Sequence, residues 1–204
     1  MAICGITAIT YAGGLEIKFG DVQGNRFVYT LDYKDMDKAA DKLKFENDIW
    51  ENTNFFTWNE GPSGARYIAA KAGETKAQLI YRFDFSASGY TVKSMSLRDI
   101  FIVWDSKGDE GTTVIAEWST DNDKYHFIRS AYNMAHQTES GFVGAGDTVK
   151  VDLPAGTRTV YYRLTATVNE KDADGKLSKS AIQWNREGNA EENYYFKADF
   201  QLTR

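Results

Sequence analysis

One cysteine, Cys4, occurs in 204 residues, so no disulfide can form within the chain and disulfides say nothing about its compartment. Proline is almost as scarce, with two residues, which leaves the turns to 17 glycines and to Asn and Asp. The two histidines, His126 and His136, sit in no zinc-ligand spacing. No G-x-S-x-G elbow, phosphate-binding loop or dinucleotide fingerprint occurs. Basic charge is also short: 24 Lys and Arg stand against 29 Asp and Glu, for a net charge of −5 and a pI of about 5.1. A non-specific nucleic-acid binder needs a basic stripe to replace phosphate counterions, and an anionic membrane surface would repel this chain. Neither nucleic acid nor membrane is therefore an expected partner, whereas a neutral polymer is compatible. No run reaches transmembrane length, and MAICGITAITYAGG lacks the basic start of a secretory signal. The chain is then either cytosolic or a domain cut from a longer secreted protein.

Aromatic and apolar residues are plentiful, at 14% and 42%, enough for a sizeable core. They fall in short alternating segments between Gly, Asn and Asp turns. LEIKF (15–19) and RFVYTLDY (26–33) read as a hairpin around GD and GN. AQLIYRFDF (77–85) puts Leu79, Tyr81, Phe83 and Phe85 on one face, and TVYYRLTATV (159–168) does the same with Val160, Tyr162, Leu164, Ala166 and Val168. MSLRDIFIVW (95–104), TTVIAEW (112–118), KYHFI (124–128), DTVKVDL (147–153), AIQW (181–184) and YYFKADFQL (194–202) continue the pattern. About ten strands with turns between them predict an all-β chain, an antiparallel β-sandwich forming a single domain over residues 1–204. Residues 32–50 alone carry helical spacing, through Met36, Ala39, Ala40 and Leu43, and read equally as a short helix or a charged loop. DADGK (172–176) resembles the start of a calcium loop but lacks its later ligands, and reads as an Asp-Gly hairpin turn.

The segment EWSTDNDKYHFI (117–128) ends one strand in Ser119-Thr-Asp121-Asn122-Asp-Lys-Tyr125. A short hydroxyl and an Asp at a tight turn both bond to nearby backbone and fix a corner. This corner resembles the S-x-D-G-x-x-aromatic corner of galactose-binding-domain-like β-sandwiches, the discoidin-type jelly rolls. Asn122 stands in place of the usual Gly, and Asn also tolerates positive φ. AQLIYRFDF, VYYRLTATV and YYFKADFQL are similar to further strands of such domains, over roughly residues 60–204. The resemblance implies a jelly roll with its ligand site in loops at one end, as in bacterial carbohydrate-binding modules. It also implies one structural calcium ion near the first and last strands, with Glu16 or Asp32 and Asp199 as ligands.

Five tryptophans are many for this length. The C–H face of a sugar ring stacks on an aromatic plane, and Trp offers the largest. Trp104 and Trp118 end alternating strands and are expected in the core. Trp50, Trp58 and Trp184 lie in or beside polar segments, with Asn54, Asn59, Asn185 and Arg186 near them in sequence to bond hydroxyls. These seven (Trp50, Trp58, Trp184, Asn54, Asn59, Asn185 and Arg186) are the candidate ligand residues. Arg163, inside a strand, is expected to pair with a carboxylate. No catalytic constellation stands out. The function expected is a monomeric, non-catalytic module that binds a polysaccharide or oligosaccharide. It would direct a catalytic domain of the same secreted or cell-surface parent chain to its glycan. The alternatives are a structural or protein–protein adhesion domain, and a small jelly-roll polysaccharide lyase or hydrolase.

Overall fold

The structure, a computed structural model, describes residues 9–11, 13–32, 46–58, 66–70, 76–98, 101–104, 113–132, 142–145, 148–167, 181–185 and 195–204. Their strands are β1 (Ile9–Tyr11), β2 (Leu15–Glu16), β3 (Arg26–Asp32), β4 (Ile49–Thr53), β5 (Phe55–Trp58), β6 (Arg66–Ala70), β7 (Lys76–Asp84) and β8 (Thr91–Arg98). They continue as β9 (Phe101–Trp104), β10 (Thr113–Ser119), β11 (His126–Tyr132), β12 (Phe142–Ala145), β13 (Val149–Asp152), β14 (Thr159–Thr167), β15 (Ala181–Asn185) and β16 (Tyr195–Thr203).

Period-two alternation builds the core. β7 pairs with β14 over its whole length. Leu79, Tyr81 and Phe83 of β7 and Val160, Tyr162, Leu164 and Ala166 of β14 are at most 1% exposed. Gln78, Arg82, Tyr161, Arg163 and Thr165 between them are only partly covered. The buried rows meet Tyr29 and Leu31 of β3, Met95 and Leu97 of β8, and Phe196, Ala198 and Phe200 of β16. Ring centroids lie 5.0 Å apart for Phe196 with both Tyr81 and Tyr162, and 4.9 Å apart for Phe200 with Phe83. Aromatic edges and faces at these separations add to simple area burial.

Two sheets therefore pack face to face. One runs β1-β4-β7-β14-β10-β11, with β2 paired in parallel to β7; the other runs β13-β8-β16-β3. Take β3, β7, β8, β10, β11, β13, β14 and β16 in chain order. The first, eighth, third and sixth then form one sheet, and the second, seventh, fourth and fifth lie side by side in the other. That is jelly-roll order, so the expected antiparallel sandwich is present in its jelly-roll form. A third sheet, β12-β9-β15-β6-β5, stands beside it.

Some local expectations are corrected. LEIKF and RFVYTLDY do not form a hairpin. A 3-10 turn at Phe19–Asp21 intervenes, closed by the Asp21 carboxylate accepting from the Lys18 amide at 2.8 Å. It sends the chain from β2, beside β7, across to β3, beside β16. MSLRDIFIVW is two strands in two sheets, β8 and β9. In the helix-or-loop segment, residues 46–48 are helical and 33–45 lie outside the described residues, as does DADGK. Asp48 accepts a 2.8 Å bond from the Tyr29 phenol, tying that helical turn to the core, and burial holds the phenol far above its ordinary pKa.

Phe200→Ala is expected to cost about 3–5 kcal/mol of stability through the cavity it opens. Phe127→Ala, at a side chain 64% exposed, is expected to stay within about 0.5 kcal/mol. Urea unfolding of both variants checks the pair, and similar losses would contradict this core.

Candidate functional site

The Ser119–Tyr125 corner forms as its composition predicts. The Ser119 hydroxyl, fully buried, donates to Asp121 Oδ1 at 2.8 Å and accepts from the amides of Asp121 and Asn122 at 3.1 and 3.0 Å. Asp121 Oδ1 also accepts from the amides of Asp123 and Lys124, each at 2.9 Å. Those backbone bonds, with the Ser119 hydroxyl, pull the Asp121 carboxyl down to about 2. Asn122 takes the left-handed backbone conformation, φ 61°, at the position where the corner motif it resembles has Gly. Its side chain accepts the Tyr125 hydroxyl.

The corner delivers Tyr125 onto the outer face of the larger sheet. The Arg163 guanidinium carbon lies 3.4 Å from the centroid of the Tyr125 ring. Arg163 is also bound through Nε and Nη2 to Glu117 Oε2, at 2.9 and 2.7 Å, which is the carboxylate pairing expected for it. In register, Glu117 of β10 stands opposite Arg163 of β14, Arg163 opposite Ile80 of β7, and Ile80 opposite Glu51 of β4. Ile80 is on the outer series yet only 2% exposed, so this face carries a layer of side chains over it. Beside that row, Tyr161 stands opposite Arg82 and meets Trp50 edge to face, with centroids 5.4 Å apart. Gln78 Nε2 donates to Glu51 Oε1 at 3.3 Å. Burial pushes the Tyr125 phenol up to about 12; Glu51, Tyr161 and Glu117 act in the same direction, and Arg163 opposes them. One face thus holds three partly covered aromatic rings, Trp50, Tyr161 and Tyr125, set among carboxylate, amide and guanidinium groups. Tyr125 and Tyr161 are not among the ligand residues expected from sequence. The signal for Tyr161 is its outward place in an alternating strand, near Arg163.

The sequence candidates divide between two sheets. Trp50 belongs to the face just described. Trp58 and Trp184 lie in the third sheet, where Trp58 pairs with Tyr67, Tyr67 with Gln183, and Asn185 with Arg66. The fold therefore brings Trp58, Trp184 and Asn185 to one end of that sheet, although they are far apart in sequence. Asn59 and Arg186 lie outside the described residues. Asn54 is 6% exposed, has φ 63°, and donates through Nδ2 to the Lys76 carbonyl at 3.1 Å. It fixes the bend that carries β4 into β5. Of the two strand tryptophans expected in the core, Trp118 is partly buried against it and stacks on the exposed His126 ring at 4.5 Å.

The calcium trio is not assembled. Asp32 pairs with Tyr195, four residues before Asp199, a separation of about 13 Å along the strands. Two carboxylates on one Ca²⁺, each about 2.3–2.6 Å from the ion, cannot span that. Asp199 is instead in a two-point ion pair with Arg26, whose hydrogen bond lowers the Asp199 pKa. Glu16 is in the opposite sheet, in register with Asp84. Among the described residues no group of three or more His, Cys, Asp or Glu is placed to hold a metal ion.

Neither a protein-family model nor a curated protein matches the sequence. Similar solved structures include the enzymatically active domain of tailspike protein 4 of bacteriophage CBA120, at 11% identity and a TM-score of 0.31. That match covers 81% of this chain and 20% of the tailspike chain. A structure of carbohydrate-binding modules of the β-sandwich superfamily, described as promiscuous in specificity, matches at 9% identity, with a TM-score of 0.29. It covers 96% of this chain and 63% of that one. A family 29 carbohydrate-binding module matches at 14% identity over 96% of this chain and 88% of its own, with a TM-score of 0.27. The chain thus spans a fifth of the tailspike domain and under two thirds of the β-sandwich module.

The depressed Asp121 pKa gives the corner an acid limit. The folded value, about 2, lies below the unfolded 3.8. The stability this carboxylate contributes is full above the unfolded value and is lost as pH falls through the folded one. Asp121→Asn is expected to flatten the loss of urea midpoint between pH 5 and pH 2 relative to wild type. An unchanged pH dependence would show that the corner does not hold the charge.

Proposed function

We propose that the chain is a non-catalytic carbohydrate-binding module, gripping a neutral polysaccharide on the outer face of the sheet that contains β4, β7, β14 and β10. The observation that carries this reading is the grouping of Trp50, Tyr161 and Tyr125 with Glu51, Gln78, Glu117 and Arg163 on one sheet face. Aromatic planes take the C–H faces of sugar rings, and planar polar groups beside them take the hydroxyls. Two arginines of this face are already matched: Arg163 holds Glu117 and Arg82 holds Asp84. With Glu51 also present, the balance favours a neutral glycan over an anionic one. In this reading the module is a monomer within a longer secreted or cell-surface protein. It raises the local concentration of a tethered catalytic domain at its glycan. The third-sheet positions Trp58, Trp184 and Asn185 are to be tested beside that face.

Catalysis on the same face is less well supported. Glu117 is already engaged by the Arg163 guanidinium, and Glu51 by the Gln78 amide. Glycoside hydrolysis needs one carboxyl group held protonated as the acid, whereas the Arg163 partner favours the ionised form of Glu117. A lyase needs a readily ionised base, whereas Tyr125 is pushed up to about 12 and its hydroxyl is bound to Asn122.

Affinity gel electrophoresis against neutral glucans, mannans, xylans and galactans tests the proposal. Wild type is expected to be retarded by at least one. Trp50→Ala and Tyr161→Ala should each weaken binding about tenfold, the equivalent of one lost stacking contact. Loss in Trp58→Ala or Trp184→Ala alone would move the site to the third sheet. No retardation of the folded protein by any polymer would favour the adhesion-domain reading, and depolymerised product would favour the enzyme.

A further inference from the structure

A different aromatic group lies where the chain leaves β2 and where β8 begins. Phe19, on the 3-10 turn, is 59% exposed. The turn presenting it is held by the Asp21 carboxylate on the Lys18 amide and by the Asp21 and Val22 amides on the carbonyls of Lys18 and Phe19. Phe19 runs nearly parallel to Tyr90, at an interplanar angle of 20° with centroids 6.0 Å apart. The Arg204 guanidinium carbon stands 5.5 Å from the Phe19 centroid and 5.3 Å from that of Tyr90. Tyr90 is buried and fixed: its hydroxyl donates to the Gly24 carbonyl at 3.3 Å and accepts from Arg204 Nε at 3.2 Å.

Arg204 differs from three arginines of the two packed sheets. Arg26, Arg82 and Arg163 each hold a carboxylate, Asp199, Asp84 and Glu117 respectively. Among the described residues Arg204 holds no carboxylate, and only its Nε is engaged, by Tyr90. An exposed guanidinium with its terminal nitrogens available, beside an exposed flat ring on a rigid turn, is a two-part recognition element. The ring takes an apolar plane, and the fork takes a carboxylate through two parallel hydrogen bonds. Burial of Tyr90 holds Arg204 Nε in place, so little side-chain entropy remains to be lost on binding.

We propose that Phe19 and Arg204 form a second saccharide site, separate from the outer sheet face, that takes a uronic acid residue. The sugar's C–H face lies on Phe19 and its carboxylate is held by Arg204. The overall negative charge of the chain keeps affinity modest, so contact is expected in the millimolar range for a short oligosaccharide.

The test is an NMR titration of the whole chain with a short oligogalacturonate, with the neutral cello-oligosaccharide of the same length in parallel. The Arg204 Nε–H and the amides of Phe19 and Gly20 are expected to shift with the galacturonate only, and the shifts should shrink as salt is raised. Phe19→Ala and Arg204→Gln should each weaken the response at least tenfold, with the rest of the spectrum confirming the fold. Arg204→Lys should retain part of it. Trp50→Ala leaves the response intact, so failure at the outer face and failure here are read separately. Equal shifts with the neutral sugar, loss of the response in Trp50→Ala, or no shift up to about 10 mM ligand would each overturn the proposal.

Discussion

Nine residues of β7 pair with nine of β14, and the strict alternation along both decides what every neighbouring element can do. Side chains at one parity fill the space between the sheets, and those at the other parity form the floor of the outer face. A one-residue slip of this pair would expose Tyr81, Phe83 and Tyr162 and bury Arg82 and Arg163. The register is therefore held by the full apolar content of the core, and the arrangement of Glu117, Arg163, Ile80 and Glu51 across four strands follows from it. The outer face inherits its rigidity from a core it does not touch.

On that floor the Ser119–Tyr125 corner supplies a group that does not come from a strand. Backbone amides directed at Asp121, together with the left-handed Asn122, turn the chain so that Tyr125 covers Arg163. Arg163 then does two things at once: it neutralises Glu117 in the sheet plane and supports an aromatic ring above it. The ion pair is partly covered, so it orders the side chains more than it adds net stability. A preordered aromatic surface loses less side-chain entropy on meeting a ligand, which is the property a binding face needs.

Much of this was legible in the residues. The apolar parity of 77–85 and 159–168, the Ser-x-Asp-Asn corner and the carboxylate partner of Arg163 all follow from period, turn chemistry or charge. The hairpin expected from 15–33 did not form, because alternation names the face of a strand but not its neighbour. A 3-10 turn at Phe19–Asp21 was enough to change sheets. Asn54 reads in sequence as a polar residue among aromatics, yet its backbone lies at φ 63° and its amide serves the Lys76 carbonyl. The acids Glu16, Asp32 and Asp199 share only a nearness to the first and last strands; register sets Asp32 and Asp199 apart, and Glu16 belongs to the other sheet.

The amino-acid order alone determined the all-β character, the buried side of its main strands and the chemistry of its corner, because these depend on neighbours within a few residues. Only the tertiary structure decided that Trp50 stands with Tyr161 and Tyr125, and that Trp58 and Trp184 fall at one end of another sheet. It also left Arg204 beside Phe19 without a carboxylate among the described residues. These are long-range pairings. They are selected by which sheets pack together and in what register, a competition over the whole buried surface that no local segment encodes.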